Sequence, residues 1–199
     1  IKEDGYKGFI KKGKYHLDLI PTHKVSKLKA NIYKSSNFKH KISELTFGSK
    51  IKTLEKNGNF VKFNKGWINQ EDIRNINYKE KDCFRKIKIF KNIRYKWGGK
   101  SFRGIDCSAL IQVFLNFNNI YCPRDAKDQV KYFKKNIKLR NIRKNDIIYW
   151  KGHVALAISK KKLIHAYGPM KKTVIMGINQ TIKKIEKTAK LKVIGIKRL

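Results

Sequence analysis

Nucleophilic chemistry in this 199-residue chain could be carried by its three cysteines, with five histidines available as bases. One cysteine stands apart by its surroundings. Cys107 follows a glycine-punctuated stretch, Tyr95-Lys96-Trp97-Gly98-Gly99 through Gly104-Ile105-Asp106, and opens a segment where Leu110, Val113, Phe114 and Phe117 recur at helical spacing. Asp106 is an N-cap residue type for that helix. A thiol in the first helical turn faces unpaired backbone N–H groups and the positive end of the helix dipole, and both favour its thiolate. A lone cysteine otherwise serves as a small apolar filler of a core gap. The loop ahead of Cys107 argues for a nucleophile. Cys83 and Cys122 have neither such a loop nor a base close by in sequence, and read as structural.

A nucleophilic thiol needs a base. His16, His23 and His40 lie in lysine-rich, weakly periodic surroundings and read as surface residues. His153 opens the apolar run His153-Val-Ala-Leu-Ala-Ile158, just after the strand pattern Asp146-Ile-Ile-Tyr-Trp150 and its Lys151-Gly152 turn. His165 stands at the close of the short strand pattern Lys162-Leu-Ile-His-Ala166. Two histidines on adjacent strands can touch, one taking the thiol proton while the other fixes its tautomer. A histidine opening a buried strand can equally be a satisfied core residue, and spacing alone leaves both readings open.

Six ordered motifs carry a resemblance over about the last 120 residues: Tyr95-x-Trp-Gly-Gly99, Gly104-Ile-Asp-Cys-Ser108, Pro123-Arg-Asp-Ala-x-x-Gln129, Asn145-Asp-Ile-Ile-Tyr-Trp150, His153-Val154 and Leu163-Ile-His-Ala166. Together they resemble the NlpC family of papain-like cysteine peptidases. The resemblance implies Cys107 as nucleophile, His153 as general base and His165 as the residue that orients it. The Tyr95 hydroxyl would join the Cys107 N–H in the oxyanion hole. It further implies hydrolysis of bacterial cell-wall peptides between γ-D-glutamate and meso-diaminopimelate or lysine, with no cofactor. In relatives that carry SH3-like modules, the Asp and Ser flanking the cysteine receive a free N-terminal amine; Asp106 and Ser108 hold those positions here. Arg124 would line the cleft or pair with a carboxylate. Ala109, Ala155 and Asn145 stand where the family pattern has glycine.

These residues need a scaffold. A cysteine helix followed by a run of short strands is an α+β layout, with the N-terminal helices packed on an antiparallel sheet; residues 77–199 form this expected peptidase domain. Phe84, Ile87 and Phe90 suggest a further helix between Glu80 and Asn92. After Ile147 the pattern reads as strands joined by lysine-rich turns, ending in Val174-Ile-Met176 and Val193-Ile-Gly-Ile196. Ahead of the domain, residues 21–76 alternate as short strands around Asn57-Gly58, a hairpin-turn pair. They resemble bacterial SH3-like small barrels, closing Gly66-Trp67-Ile68 with Trp67 as a core plug. Residues 1–10 echo that ending, and residues 1–20 read as the tail of a first such barrel.

The formal net charge of +35 invites a nucleic-acid reading. Lysine is spread through the whole chain beside abundant isoleucine and asparagine, the bias an AT-rich genome imposes, so no specific nucleic-acid partner is expected. A positive field that attracts acidic ligands survives this argument. No apolar run reaches membrane-spanning length. An odd number of cysteines fits a reducing, cytoplasmic compartment; a removed leader would make it periplasmic or secreted. No Cys-x-x-Cys or His-Glu-x-x-His metal pattern occurs. The expected partner is a cell-wall peptide. The sequence sets no oligomeric state. Other amidases and acyltransferases on a papain-like fold, or a silent basic wall- or nucleic-acid-binding module, are the competing readings.

Overall fold

The computed structural model describes residues 20–199 together with Phe9 and Gly13. The expected tail of a first barrel therefore lies outside the described residues, apart from Phe9, Gly13 and Ile20. The described chain divides into two compact units, one of residues 20–81 with Phe117–Asn119, the other of Asp82–Asn116 and Ile120–Leu199.

The first unit is all-β. Its strands are β1 (His23–Val25), β2 (Lys29–Tyr33), β3 (Lys41–Thr46), β4 (Lys50–Ile51), β5 (Glu55–Asn57), β6 (Phe60–Phe63), β7 (Gly66–Asn69) and β8 (Ile73–Asn75). They form two sheets, β4-β1-β8 and β3-β2-β7-β6-β5. Alternation along the strands puts Val25, Ala30, Ile32, Ile51, Val61, Phe63, Ile68 and Ile73 into one core. Asn57 pairs with Phe60, so the β5–β6 turn is Gly58-Asn59, with Gly58 at φ +53°. Trp67 is half-buried, with the Lys62 ammonium 5.6 Å from its ring. It is not the expected plug, because the period of two turns Ile68 inward instead.

The second unit holds the chemistry. It contains the hairpin β9 (Lys100–Ser101) and β10 (Gly104–Ile105), then α1 (Cys107–Phe117), α2 (Ala126–Tyr132) and β11 (Lys135–Asn136). There follow β12 (Ile147–Trp150), β13 (His153–Ala157), β14 (Lys162–Tyr167), β15 (Lys172–Gly177), α3 (Ile178–Ala189) and β16 (Val193–Arg198). The sheet order is β11-β16-β12-β13-β14-β15, antiparallel throughout. Its central strands are almost wholly apolar because they are buried: Ile147, Ile148, Tyr149, Val154, Ala155, Leu156 and Ala157 have no exposed surface. Among the described residues no helix is long and apolar enough to cross a membrane.

Two expected elements differ. The helix between Glu80 and Asn92 is instead a run of turns with one 3-10 turn at Ile87–Phe90. Phe84, Ile87 and Phe90 are still buried. Their spacing of three fits i→i+3 bonding, seen in Ile87 N–H to Phe84 O at 2.9 Å and Lys91 N–H to Lys88 O at 3.0 Å. The other difference is α3, which stands between β15 and β16 where a turn was expected. Ile178, Thr181 and Ile185 are its buried stripe, a helical period that the surrounding lysines disguise.

Candidate active site

The loop ahead of Cys107 is held from both sides. Tyr95 N–H donates to Lys171 O at 2.8 Å, Ile105 N–H to Arg94 O at 3.0 Å, and Lys96 N–H to Ile105 O at 3.1 Å. These bonds tie Tyr95 to the residues just before the cysteine. Gly99 allows the loop to close: a Cβ there would lie 2.5 Å from Gly104 O. Gly168 packs against the Tyr95 ring, its virtual Cβ 3.6 Å from Tyr95 Cε1.

Cys107 is buried at the start of α1, and Asp106 caps that helix, accepting the Ala109 N–H through Oδ1 at 2.8 Å. The Cys107 sulfur lies where the N–H groups of Val154, Ser108 and Cys107 itself favour its anion. Burial and the neighbouring Asp106 charge outweigh them, and the thiol is pushed up to about 11. Helix position alone predicts a stabilised thiolate; here desolvation wins.

His153 and His165 meet, with Nε2 of the first 2.9 Å from Nδ1 of the second. Leu156 sits opposite Ile164, and this register puts both histidines on one face of the sheet, a diagonal step apart. The His165 ring is fully buried and stacks on Tyr167, centroids 4.6 Å apart. Burial lowers His153 to about 4. Burial first, then the His153 and Lys184 charges, lower His165 to about 3. Both rings are therefore neutral at neutral pH, the form that can accept a proton.

Tyr95 is half-buried near these groups. Desolvation first, then the Cys107 and Asp106 charges, push its hydroxyl up to about 12, so it is a donor at neutral pH.

Asp106, Ser108 and Arg124 form one buried network. Arg124 Nη1 donates to Asp106 Oδ1 at 3.0 Å and to Ser108 Oγ at 2.9 Å, while Nη2 pairs with Asp106 Oδ2. Ser108 Oγ donates to Asp106 Oδ1 at 3.2 Å, and Gly98 N–H to Oδ2 at 2.9 Å. With the Ala109 N–H this makes five donors on one carboxylate, about its full acceptor capacity. A substrate ammonium would have to displace one of them. Gln129 Nε2 reaches Ser108 O at 3.0 Å and Pro123 O at 2.9 Å, tying α2 to α1.

Cys107, Asp106, Ser108 and Arg124 line a cavity of about 810 Å³. Trp97, 81% exposed, and Lys100, Lys127 and Lys151 line it too. Sequence reasoning passed over these four. Trp97 was visible as an aromatic inside the glycine loop, but nothing distinguished three lysines in so basic a chain. Asn145 adopts φ +71°, a left-handed conformation asparagine enters more readily than most residues, which accounts for its place at a glycine position. Ala109 and Ala155 are fully buried.

Residues 92–189 match the NlpC/P60 family. The chain is 28% identical over 199 aligned residues to the gamma-D-glutamyl-L-lysine dipeptidyl-peptidase of Bacillus subtilis, a match covering 89% of this chain and 66% of that protein. It is 38% identical over 72 residues to dipeptidyl-peptidase 6 of Lysinibacillus sphaericus, covering 36% of this chain and 27% of the relative. Its fold is similar to the crystal structure of an NlpC/P60 family protein from Bacillus cereus, with a TM-score of 0.74 and 24% identity, over 89% of this chain and 63% of that one. The chain thus spans less than two thirds of the length of these relatives. Residues 92–189, the stretch similar to the NlpC/P60 family, hold the cysteine helix and both histidine strands.

Proposed function

We propose that the chain is a cysteine peptidase that hydrolyses bacterial cell-wall peptides at the bond between γ-D-glutamate and lysine or diaminopimelate. The observation that carries this reading is a buried thiol that lines the cavity among three N–H groups, one of them the Val154 N–H beside His153, whose neutral ring meets that of His165. The names of the relatives supply the substrate class.

In this mechanism the Cys107 thiol gives its proton to Nδ1 of His153, the ring nitrogen not engaged with His165, as the sulfur attacks the amide carbonyl. The Nε2–H of His153 then donates to His165 Nδ1, so His165 holds the tautomer that leaves Nδ1 basic. Tyr95 Oη–H and the Cys107 N–H receive the developing oxyanion. His153 returns the proton to the departing amine as the carbon–nitrogen bond breaks, leaving a thioester. Water attacks the thioester, giving one proton to His153, which passes it to the departing thiolate. Asp106 and Arg124 act here as the cap and clasp that hold the start of α1.

We include the all-β unit as an SH3-like module, residues 21–76 ahead of a peptidase domain from 77, supported by its short strands in two antiparallel sheets. Three free thiols support action in a reducing compartment.

Incubation with L-Ala-γ-D-Glu-L-Lys and its diaminopimelate counterpart, followed by mass spectrometry, tests activity and bond choice together. Release of L-Ala-D-Glu by wild type and not by Cys107→Ala is the expected result. Intact peptides after prolonged incubation would overturn the reading in favour of another amide or ester substrate.

A further inference from the structure

The reading above leaves open what selects the substrate, and the cavity wall answers with charge. Three lysines from separate parts of the fold line it: Lys100 on β9, Lys127 in α2 and Lys151 in the turn between β12 and β13. Lys151 lies two residues before His153. The cavity also contains Arg124 and the carboxylates of Asp106 and Asp125. Arg124 and Asp106 are spent on each other. Against the one remaining carboxylate, Asp125, the exposed Lys127 and Lys151 leave an excess of cations in the cavity that Cys107 lines, a concave site whose low-dielectric walls focus the field.

A γ-glutamyl peptide presents a matching group. Its scissile carbonyl belongs to the side chain of the glutamate, so the α-carboxylate stays free a few bonds away. In many wall peptides the same position is an uncharged α-carboxamide. We propose that Lys127 and Lys151 read this α-carboxylate, making the enzyme selective for D-glutamate over D-isoglutamine stems. The proposal rests on the peptidase reading and adds the charge state of the substrate to it. An ammonium–carboxylate contact in a partly desolvated cleft distinguishes the two substrates by about tenfold or more, since the amide forfeits a charge-assisted hydrogen bond.

Because basic residues make up 49 of the 199 positions, the control must remove equal charge elsewhere. Lys183 and Lys187 are exposed on α3, away from the cavity lining. The experiment compares kcat/KM for L-Ala-γ-D-Glu-L-Lys and L-Ala-γ-D-isoGln-L-Lys in wild type, Lys127→Gln/Lys151→Gln and Lys183→Gln/Lys187→Gln. Wild type and the α3 variant should prefer the carboxylate peptide by about tenfold or more, and the cleft variant should lose most of that preference through KM, with the amide peptide little changed. Binding of both peptides to Cys107→Ala gives the same comparison without turnover. Equal treatment of the twins by wild type, or equal loss in the α3 control, overturns the proposal while leaving the peptidase reading intact. Failure of wild type to cleave either peptide and of Cys107→Ala to bind either one overturns both.

Discussion

Two unlike groups of residues flank Cys107, a dry wall of buried groups and a wet wall of exposed ones. The dry wall is the buried thiol of Cys107 with two histidines and a tyrosine held by strand register and backbone hydrogen bonds, and burial drives each of them toward its neutral form. The wet wall is part of the cavity that Cys107 lines, where Trp97, Lys127 and Lys151 are exposed. The difference is one of timing. In the proposed mechanism, groups that exchange a proton with the substrate are kept uncharged until it arrives, which avoids burying an ion in the resting state. Groups that only attract substrate can stay charged because water solvates them. Dry chemistry beside wet recognition is what the proposed hydrolysis of polar peptides needs.

The largest test of the dry wall is removal of the thiol. Cys107→Ser should lower kcat/KM by at least about a thousandfold while its melting temperature stays close to that of wild type. Cys107→Ala should do the same. Wild-type-like turnover in either variant would remove the cysteine from the chemistry.

Neutrality of that wall can be read from pH. With the Cys107 thiol pushed up to about 11, its thiolate fraction grows with every pH unit across the neutral range. Alkylation of Cys107 by iodoacetamide should therefore rise about tenfold per unit between pH 7 and 9, without a plateau. His153, lowered to about 4, should keep the acid limb of kcat/KM below pH 6. The sign for stability follows from the same shifts. Both histidines bind protons less readily folded than unfolded, so their contribution is present above the unfolded value near 6.5 and is lost as pH falls toward 4. A plateau in alkylation between pH 5 and 7 would mean a resting thiolate–imidazolium pair, and the contrast between the walls would fail.

His165 tests how the dry wall is positioned. Its Nδ1 accepts from His153 in the mechanism, leaving Nε2 buried and without a hydrogen-bond partner among the described residues. Only one edge of the ring is used. His165→Gln or His165→Asn, whose side-chain carbonyl can accept the same proton, should remain within about a hundredfold of wild-type kcat/KM, whereas His165→Leu and His153→Ala should fall much further. If His165→Gln were as dead as His153→Ala, the roles of the two rings would have to be exchanged.

How far the sequence could be read differs between the walls for a physical reason. The dry wall depends on rare residue types at fixed spacings, such as the glycine loop before Cys107 and the strand that opens at His153, and such patterns have few alternative meanings. Whether the histidines actually meet depended on strand register, which spacing alone left open. The wet wall is made largely of lysines, and in this chain a lysine carries almost no positional information; only the fold shows which of them line the cavity. Trp67 and α3 mark a related limit. Inward and outward positions of a short strand differ by one residue, and a helical stripe of Ile178, Thr181 and Ile185 is easily masked by the lysines around it. The balance of forces on Cys107 was also beyond the sequence, since the helix terminus is local whereas burial is a property of the assembled core.

Asp106 belongs by position to the dry wall and by charge to the wet one, and it separates two roles. If its carboxylate received a substrate ammonium, Asp106→Asn would change the choice between a free-amine peptide and its N-acetylated twin. In the structure its oxygens are filled by Gly98 N–H, Ala109 N–H, Ser108 Oγ and the Arg124 guanidinium. The expected effect on that choice is therefore the smallest of all: the kcat/KM ratio of the two peptides should be the same in Asp106→Asn as in wild type. The substitution should act on stability instead, because it strands the buried Arg124 charge at a cost of about 3 kcal/mol or more. Asp106→Asn/Arg124→Gln, which removes both charges, should recover part of that loss in a chemical denaturation curve. A changed peptide ratio in Asp106→Asn with unchanged stability would place the carboxylate on the substrate and make Arg124 a partner it releases on binding.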